Sequence, residues 1–253
     1  MKFYYEYILK LRHLCEPTGR LFGWLVHEVL CEWYKTGNLD QAQKWWDKLP
    51  PDWGDNRRSA NHGRALIAGY VAFWKDDVLS PDDIERTFEL PMPNGTIATG
   101  RIDAILRKGD SVYVVDHKTG SSLGKSFWNQ FRPSVQMDTY SYAVLNLLGQ
   151  CDGVIIDAIS TALNPRTPQY ARDISPRINR EYDLFEWKWD TWTSAIERSI
   201  TNREFEMREV SCDKWGGCPY RDGCIFGADS GPFRAQWTTE EEQLRLIKEE
   251  ENA

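Results

Sequence analysis

No run of about 18 apolar residues occurs in the 253-residue sequence, so no membrane-crossing helix is expected. A secretory signal is missing too. In the opening MKFYYEYILKLRH, Glu6 and Lys10 break up the aromatic residues, and there is neither an apolar stretch nor a small-residue cleavage site. Without such a signal, a disulfide framework is out of place in a chain this long. A surplus of positive charge is also absent. The formal charge of −7 and a pI near 5.3 exclude a protein that coats nucleic acid through a generally basic surface. A local basic groove beside a carboxylate cluster stays open. No internal repeat or low-complexity tract is present. These absences leave a cytoplasmic globular protein as the expectation.

What is present fits that class. Hydrophobic residues make up 41% and charged residues 27%, an ordinary globular balance rather than a disordered one. The length suffices to bury one sizeable core with a small appended lobe. From the start to about Tyr34 the chain reads as helix, with Leu21, Trp24, Leu25, Val29 and Leu30 at three- and four-residue spacing and Gly37 as the stop. Further helices are predicted from Leu39 to Leu49 and over residues 60 to 76. Near Asp83 the pattern changes. Three β-rich segments, IERTFELPMP, TIATGRIDAILRKG and SVYVVDHKTG, are separated by Asn94-Gly95 and Gly109-Asp110, dipeptides that favour tight hairpins, so three antiparallel strands are predicted. A helix VQMDTYSYAVLNLLG capped by Gly149, a strand GVIIDAISTAL and a long amphipathic helix from Tyr182 to Arg203 follow. The tail TTEEEQLRLIKEEENA reads as a solvated helix or frayed end.

The chemistry concentrates in GRIDAILRKGDSVYVVDHKTG. On a strand, Asp116 and Lys118 are two apart and share a face, while His117 points the other way. A hairpin partner over Thr99 to Leu106 brings Asp103 alongside. Charges at the end of an apolar strand (Val112, Val114, Val115) are costly unless paired or bound to a metal. Converging carboxylates select hard cations such as Mg²⁺ or Mn²⁺, which can acidify water and stabilise charge on a phosphoryl group. Lys118 would position that water and offset negative charge. A strand that merely ends in a surface ion pair is the alternative reading.

Asp103 in GRID followed by VVDHKTG resembles the PD-(D/E)XK nuclease superfamily, and within it the RecB-like branch. Two further segments stand in that branch's order: Gly23-Trp24-Leu25-Val26-His27 resembles its G-x-x-x-H helix, and Gln136 to Tyr140 its Q-x-x-x-Y helix. The resemblance covers roughly residues 10 to 226 and implies metal-dependent hydrolysis of DNA. It implies His27, Asp103 and Asp116 as metal ligands, with the main-chain carbonyl of His117 as a further one, and Lys118 as the catalytic ammonium. Gln136 and Tyr140, four apart on one helical face, would contact DNA or orient Lys118. Glu85 and Glu89 on the preceding strand are further acidic candidates, but they match the motif less well and are read as exposed at the strand edge.

Six cysteines are present: Cys15, Cys31, Cys151, Cys212, Cys218 and Cys224. The last three stand six residues apart with Gly and Pro between them, a loop able to wrap a soft metal centre. Here the chain is similar to the RecB-like nucleases of the AddB and CRISPR-adaptation type, which implies a [4Fe–4S] cluster with Cys15, upstream of His27, as fourth ligand. Cys31 is the other candidate for that place, though packing suits it better, and Cys151 reads as a buried strand neighbour. The wide spacing leaves zinc as the alternative metal.

Basic residues interleaved with aromatics suit single-stranded nucleic acid. Arg166, Arg172, Arg177 and Arg180 form one such set; Lys125 and Arg132 flanking Phe127, Trp128 and Phe131 form another.

The expectation is an α/β fold: a restriction-endonuclease-like core with a central mixed sheet flanked by helices, and a helical lobe clamped by the cysteine-bound cluster. Residues 1–82 form a mainly helical region carrying Cys15 and His27, 83–205 the nuclease core, and 206–253 the cysteine segment and tail, all in one compact unit. An exonuclease on single-stranded or processed DNA ends is preferred to a structure-selective endonuclease or a non-catalytic DNA-binding subunit. With no P-loop in the sequence, unwinding would need a helicase partner. Recombination or CRISPR proteins are further partners the resemblance allows, as is a virus-encoded enzyme acting in its host cell.

Overall fold

The computed structural model describes residues 2–13, 18–76, 79, 81, 83–207, 212, 218–230, 233 and 237–239. A π-helical turn (Tyr4–Ile8) precedes β1 (Leu11–His13), α1 (Thr18–Thr36), α2 (Leu39–Ala42), a 3-10 turn (Gln43–Lys48) and α3 (Ala60–Phe73). Then come β2 (Asp83–Pro91), β3 (Ile97–Lys108), β4 (Ser111–Gly120), α4 (Lys125–Trp128) and α5 (Val135–Leu148). The chain continues through β5 (Gly153–Ser160), β6 (Tyr170–Pro176), α6 (Asn179–Asn202), α7 (Arg221–Phe226) and β7 (Trp237–Thr239). Two compact units result: Thr18–Thr191, and Met1–Pro17 together with Trp192–Ala253.

The larger unit is built on a five-stranded sheet in the order β2-β3-β4-β5-β6. Pairing is antiparallel except between β4 and β5, so the sheet is mixed. The β3–β4 hairpin turns at Gly109, whose φ of +61° is a left-handed value that a side chain would resist, with Lys108 opposite Ser111. Parallel strands need a long crossover, which α4 and α5 supply. β5 is buried at all eight positions, as expected of a central strand covered on both faces.

Each face carries its own core. Met137, Ala143 and Val144 of α5 and Phe185 of α6 pack on Val112, Val114 and Ile156. On the other face Phe22, Leu25 and Val29 of α1 join Ile67 and Tyr70 of α3 against Ile159. Each fully buried large side chain in these layers contributes about 1.5–3 kcal/mol. This is the expected α/β fold with a restriction-endonuclease-like core.

The smaller unit pairs β1 with β7 antiparallel. Tyr5, Leu11, Tyr220 and Phe233 form its buried cluster, with Cys218 and Cys224 packed against it. The Tyr5 and Tyr220 rings stack at 5.6 Å.

Three local expectations are corrected. The leading segment is not one helix: a π-helical turn and a short strand precede Thr18, because the aromatic residues near the start pack on the second half of the chain rather than along a helical stripe. The stretch from Leu39 to Leu49 divides into a single α-turn and a 3-10 segment. Residues 170–176 form an edge strand, missed because Arg172 and Asp173 interrupt its apolar alternation. Residues 240–253 of the tail lie outside the described residues, as does Cys15.

Candidate active site

Three elements of the larger unit deliver the predicted residues. On β4, Val112 and Val114 enter the core beneath α5, which places Asp116 and Lys118 on that same face. The register of β3 against β4, with Ala104 opposite Val115, puts Asp103 beside Asp116. Helix α1 brings His27. One turn earlier, Gly23 approaches β4 so closely that a Cβ there would lie 3.3 Å from Thr119 Oγ1. His27 Nδ1 sits 3.2 Å from Asp103 Oδ2, and the same oxygen accepts the His117 backbone N–H at 2.8 Å. The strand pair and the helix therefore meet at one carboxylate.

The electrostatics separate the two aspartates. Burial pushes Asp103 up, but His27 and the His117 N–H outweigh it and hold the carboxyl at about 2. Asp116 has no solvent exposure. Burial raises it to about 6, with the Lys118 ammonium pulling it down and Asp103 pushing it up. Lys118 Nζ lies 2.6 Å from Asp116 Oδ2, yet neither Asp116 oxygen has a hydrogen-bond partner. A buried carboxylate without hydrogen bonds is costly, and a cation is the species that would satisfy it.

Gln136 and Tyr140 stand together on α5, whose first turn is capped by the Ser134 side chain. Lys118 Nζ donates to Gln136 Oε1 at 3.3 Å, and Gln136 Nε2 donates to Tyr140 Oη at 3.1 Å. His117 turns its ring to the opposite face, as its alternation with Asp116 requires. There it is buried and stacks on Tyr34 at 5.7 Å. Burial lowers its pKa despite the pull of Asp157 and Asp103, which leaves a neutral imidazole.

Sequence reasoning missed two features. Asp157, fully buried on β5, accepts from Tyr70 Oη at 2.6 Å and Arg172 Nε at 3.0 Å. Its signal was a lone charge inside the apolar run VIIDAIS. The second is the enclosure of Glu85, an acidic candidate set aside as edge-exposed. Its side chain is only 15% exposed, and it lies with His27 and Asp103 in a group whose ligand atoms are all within 4.8 Å of one another. The expected edge exposure holds for Glu89 and fails for Glu85.

The basic, aromatic surface for single-stranded nucleic acid is not what forms. Arg172 and Arg177 are buried in ion pairs with Asp157 and Asp138, Arg132 pairs with Asp173, and Phe127 and Phe131 belong to the core. Their spacing served packing. Arg166, Arg180 and Lys125 are exposed.

Among the cysteines, Cys31 and Cys151 are buried. The Cys218 N–H donates to the Cys212 carbonyl at 2.7 Å. Burial raises the Cys224 thiol, and the nearby Cys218 and Cys212 raise it further. Among the described residues, the three thiols do not form a group within 4.8 Å as His27, Glu85 and Asp103 do.

A mixed sheet flanked by helices, with paired aspartates and a lysine two positions on at a strand end, is the arrangement of a nuclease core. The chain belongs to the PD-(D/E)XK nuclease superfamily, whose profile matches residues 1–225. That superfamily hydrolyses nucleic acid. A predicted exonuclease from Eubacterium rectale, known from its crystal structure, is similar in fold: TM-score 0.51 at 16% identity, covering 79% of this chain and 73% of that one. The structure of SSO0001 aligns over 67% of this chain and 72% of its own at 18% identity, with a TM-score of 0.34. No curated protein matches the chain significantly. Among the described residues no helix is long and apolar enough to cross a membrane.

Proposed function

We propose that this protein is a Mg²⁺- or Mn²⁺-dependent deoxyribonuclease of the RecB-like branch, acting as an exonuclease on single-stranded or processed DNA ends. The observation that carries the reading is Asp116: a fully buried carboxylate, without hydrogen bonds, beside Asp103 and Lys118.

The residues present fit a hard divalent cation, since carboxylates and one imidazole are the donors it takes. His27, Asp103 and Asp116 would hold it, with the His117 carbonyl as a further ligand. Held there, a cation would supply Lewis-acid charge to the scissile phosphate and would make water easier to deprotonate. Lys118 holds its ammonium where negative charge develops on the phosphate, and Gln136 fixes the lysine's direction. Tyr140 fixes Gln136 in turn. The His117 N–H keeps Asp103 turned toward the site.

For the trailing cysteines we propose a structural [4Fe–4S] cluster on Cys15, Cys212, Cys218 and Cys224. Supporting it are the backbone hydrogen bond from the Cys218 N–H to the Cys212 carbonyl and the packing of Cys218 and Cys224 against a buried cluster drawn from residues 5 to 11 and 220 to 233. Zinc on the same ligands is the competing occupant. Protein purified without oxygen should be brown, with absorbance near roughly 400 nm. A colourless protein with stoichiometric zinc would reverse the assignment.

The test of function is an assay on end-labelled linear and circular single-stranded DNA with and without Mn²⁺. Mn²⁺-dependent loss of label from linear DNA alone is expected. Cutting of circles would identify an endonuclease instead, and inertness on both DNAs would leave the reading wrong.

A further inference from the structure

Glu85 occupies a conformation that its strand would not choose. Its φ is +55°, a left-handed value within β2 for a residue that is neither Gly nor Asn. Such a conformation costs on the order of 1–3 kcal/mol and persists where its surroundings enforce it. The register explains what the position gains. Ile84 faces Ala104 and Arg86 faces Ile102, so Glu85 stands across from Asp103, which in turn stands beside Asp116. Three carboxylates thus line up across three neighbouring strands. Like charges directly opposite one another destabilise a sheet. His27 reaches into the same place from α1.

Only part of that repulsion is neutralised by the protein itself. Lys118 serves Asp116 and His27 serves Asp103. Arg101 Nε lies 2.6 Å from Glu85 Oε2, but without the alignment of a hydrogen bond, and that buried oxygen has no hydrogen-bond partner. Arg101 is about half exposed, so it can swing into solvent at little cost. What remains is a pocket of oxygens and one imidazole nitrogen, with ligand atoms within 4.8 Å of one another, next to an Asp116 whose two buried oxygens lack hydrogen bonds.

We propose that Glu85 is a direct ligand of the divalent cation, on the β2 side of Asp103, so that the site draws on β2 as well as β3, β4 and α1. This rests on the nuclease reading of the Asp103 site. Arg101 then acts as a stand-in cation, occupying Glu85 until the metal displaces it.

The test is Mn²⁺ binding to the full chain, measured by titration calorimetry and by the loss of the free Mn²⁺ electron-spin resonance signal. The variants are Glu85→Gln, Glu85→Asp, Arg101→Gln and Asp103→Asn, each checked for an unchanged melting temperature without metal. Glu85→Gln should weaken binding by about 100-fold or more, beyond the roughly 10- to 100-fold that loss of a group merely orienting a ligand costs; Glu85→Asp should restore part of it, and Arg101→Gln should leave affinity unchanged or higher. Binding by Glu85→Gln within two-fold of the parent, with Asp103→Asn defective, would overturn the proposal and leave the nuclease site standing. Unchanged binding by both would remove the metal site itself. If Glu85→Gln melts early, Glu85→Asp decides alone: parent-like binding with the parent's enthalpy would then count against the ligand role.

Discussion

Lys118 reaches back to Asp116, two residues earlier on the same strand, and places its ammonium 2.6 Å from a carboxylate oxygen that solvent does not touch. The pair is an ion pair and a poised site at once. The ammonium offsets only part of the burial penalty, since the carboxyl still stands at about 6. A second cation would complete the compensation, and that imbalance can be measured.

Replacing Lys118 by Ala should lower metal-dependent cleavage by roughly 100-fold or more, the scale found when a group stabilising transition-state charge is removed. Mn²⁺ affinity should hold or rise, because a competing positive charge leaves Asp116. Single-turnover rates and calorimetry on the same preparation test this. Cleavage that survives unchanged would sink the assigned role.

Asp116→Asn should stabilise the metal-free protein at neutral pH. Asp116 is raised from an ordinary 3.8 to about 6, so the folded state binds its proton more tightly than the unfolded state does. The resulting cost to stability is absent below pH 3.8, grows between the two values and is complete above about 6. Removing the charge should return about 1–3 kcal/mol at roughly neutral pH and progressively less toward acid. Urea melts in the presence of chelator provide the comparison. A gain independent of pH would contradict a burial penalty on the ionised carboxyl as its cause.

Gln136→Ala should reduce the cleavage rate about tenfold, and Tyr140→Phe by less, since both act through the direction of Lys118. The loss should appear in the single-turnover rate at saturating DNA. A change confined to DNA affinity would instead make these residues DNA contacts.

Asp157→Ala should cost about 3–5 kcal/mol of stability, because it removes the carboxylate that balances the charge of the Arg172 guanidinium, whose side chain is only 10% exposed, and the acceptor of Tyr70. A paired replacement of Asp157 and Arg172 by apolar residues should recover much of that loss. Equal destabilisation by the single and double variants would show that the ion pair is not the reason.

Much of the architecture was legible in advance because its causes are local. The Gly109-Asp110 turn fixes the β3–β4 hairpin, the two-residue period puts Asp116 and Lys118 on one face, and four-residue spacing pairs Gln136 with Tyr140. Reading Arg172, Arg177, Phe127 and Phe131 as a nucleic-acid surface failed for the opposite reason. Burial depends on what packs against a residue, and Asp157 and Asp138 lie 15 and 39 positions from their arginines.

The amino-acid order by itself determined the strand meander, the crossover helix α5 and the carboxylate-lysine set, since turn chemistry and side-chain periodicity act over a few residues. Only the tertiary structure decided that His27 would meet Asp103, that Glu85 would be drawn into the carboxylate row, and that Asp157 would be neutralised by Arg172 of β6 and hydrogen-bonded by Tyr70 of α3. Those contacts join segments far apart along the chain. Their partners are chosen by how helices and strands bury their apolar faces, a choice that no local pattern encodes.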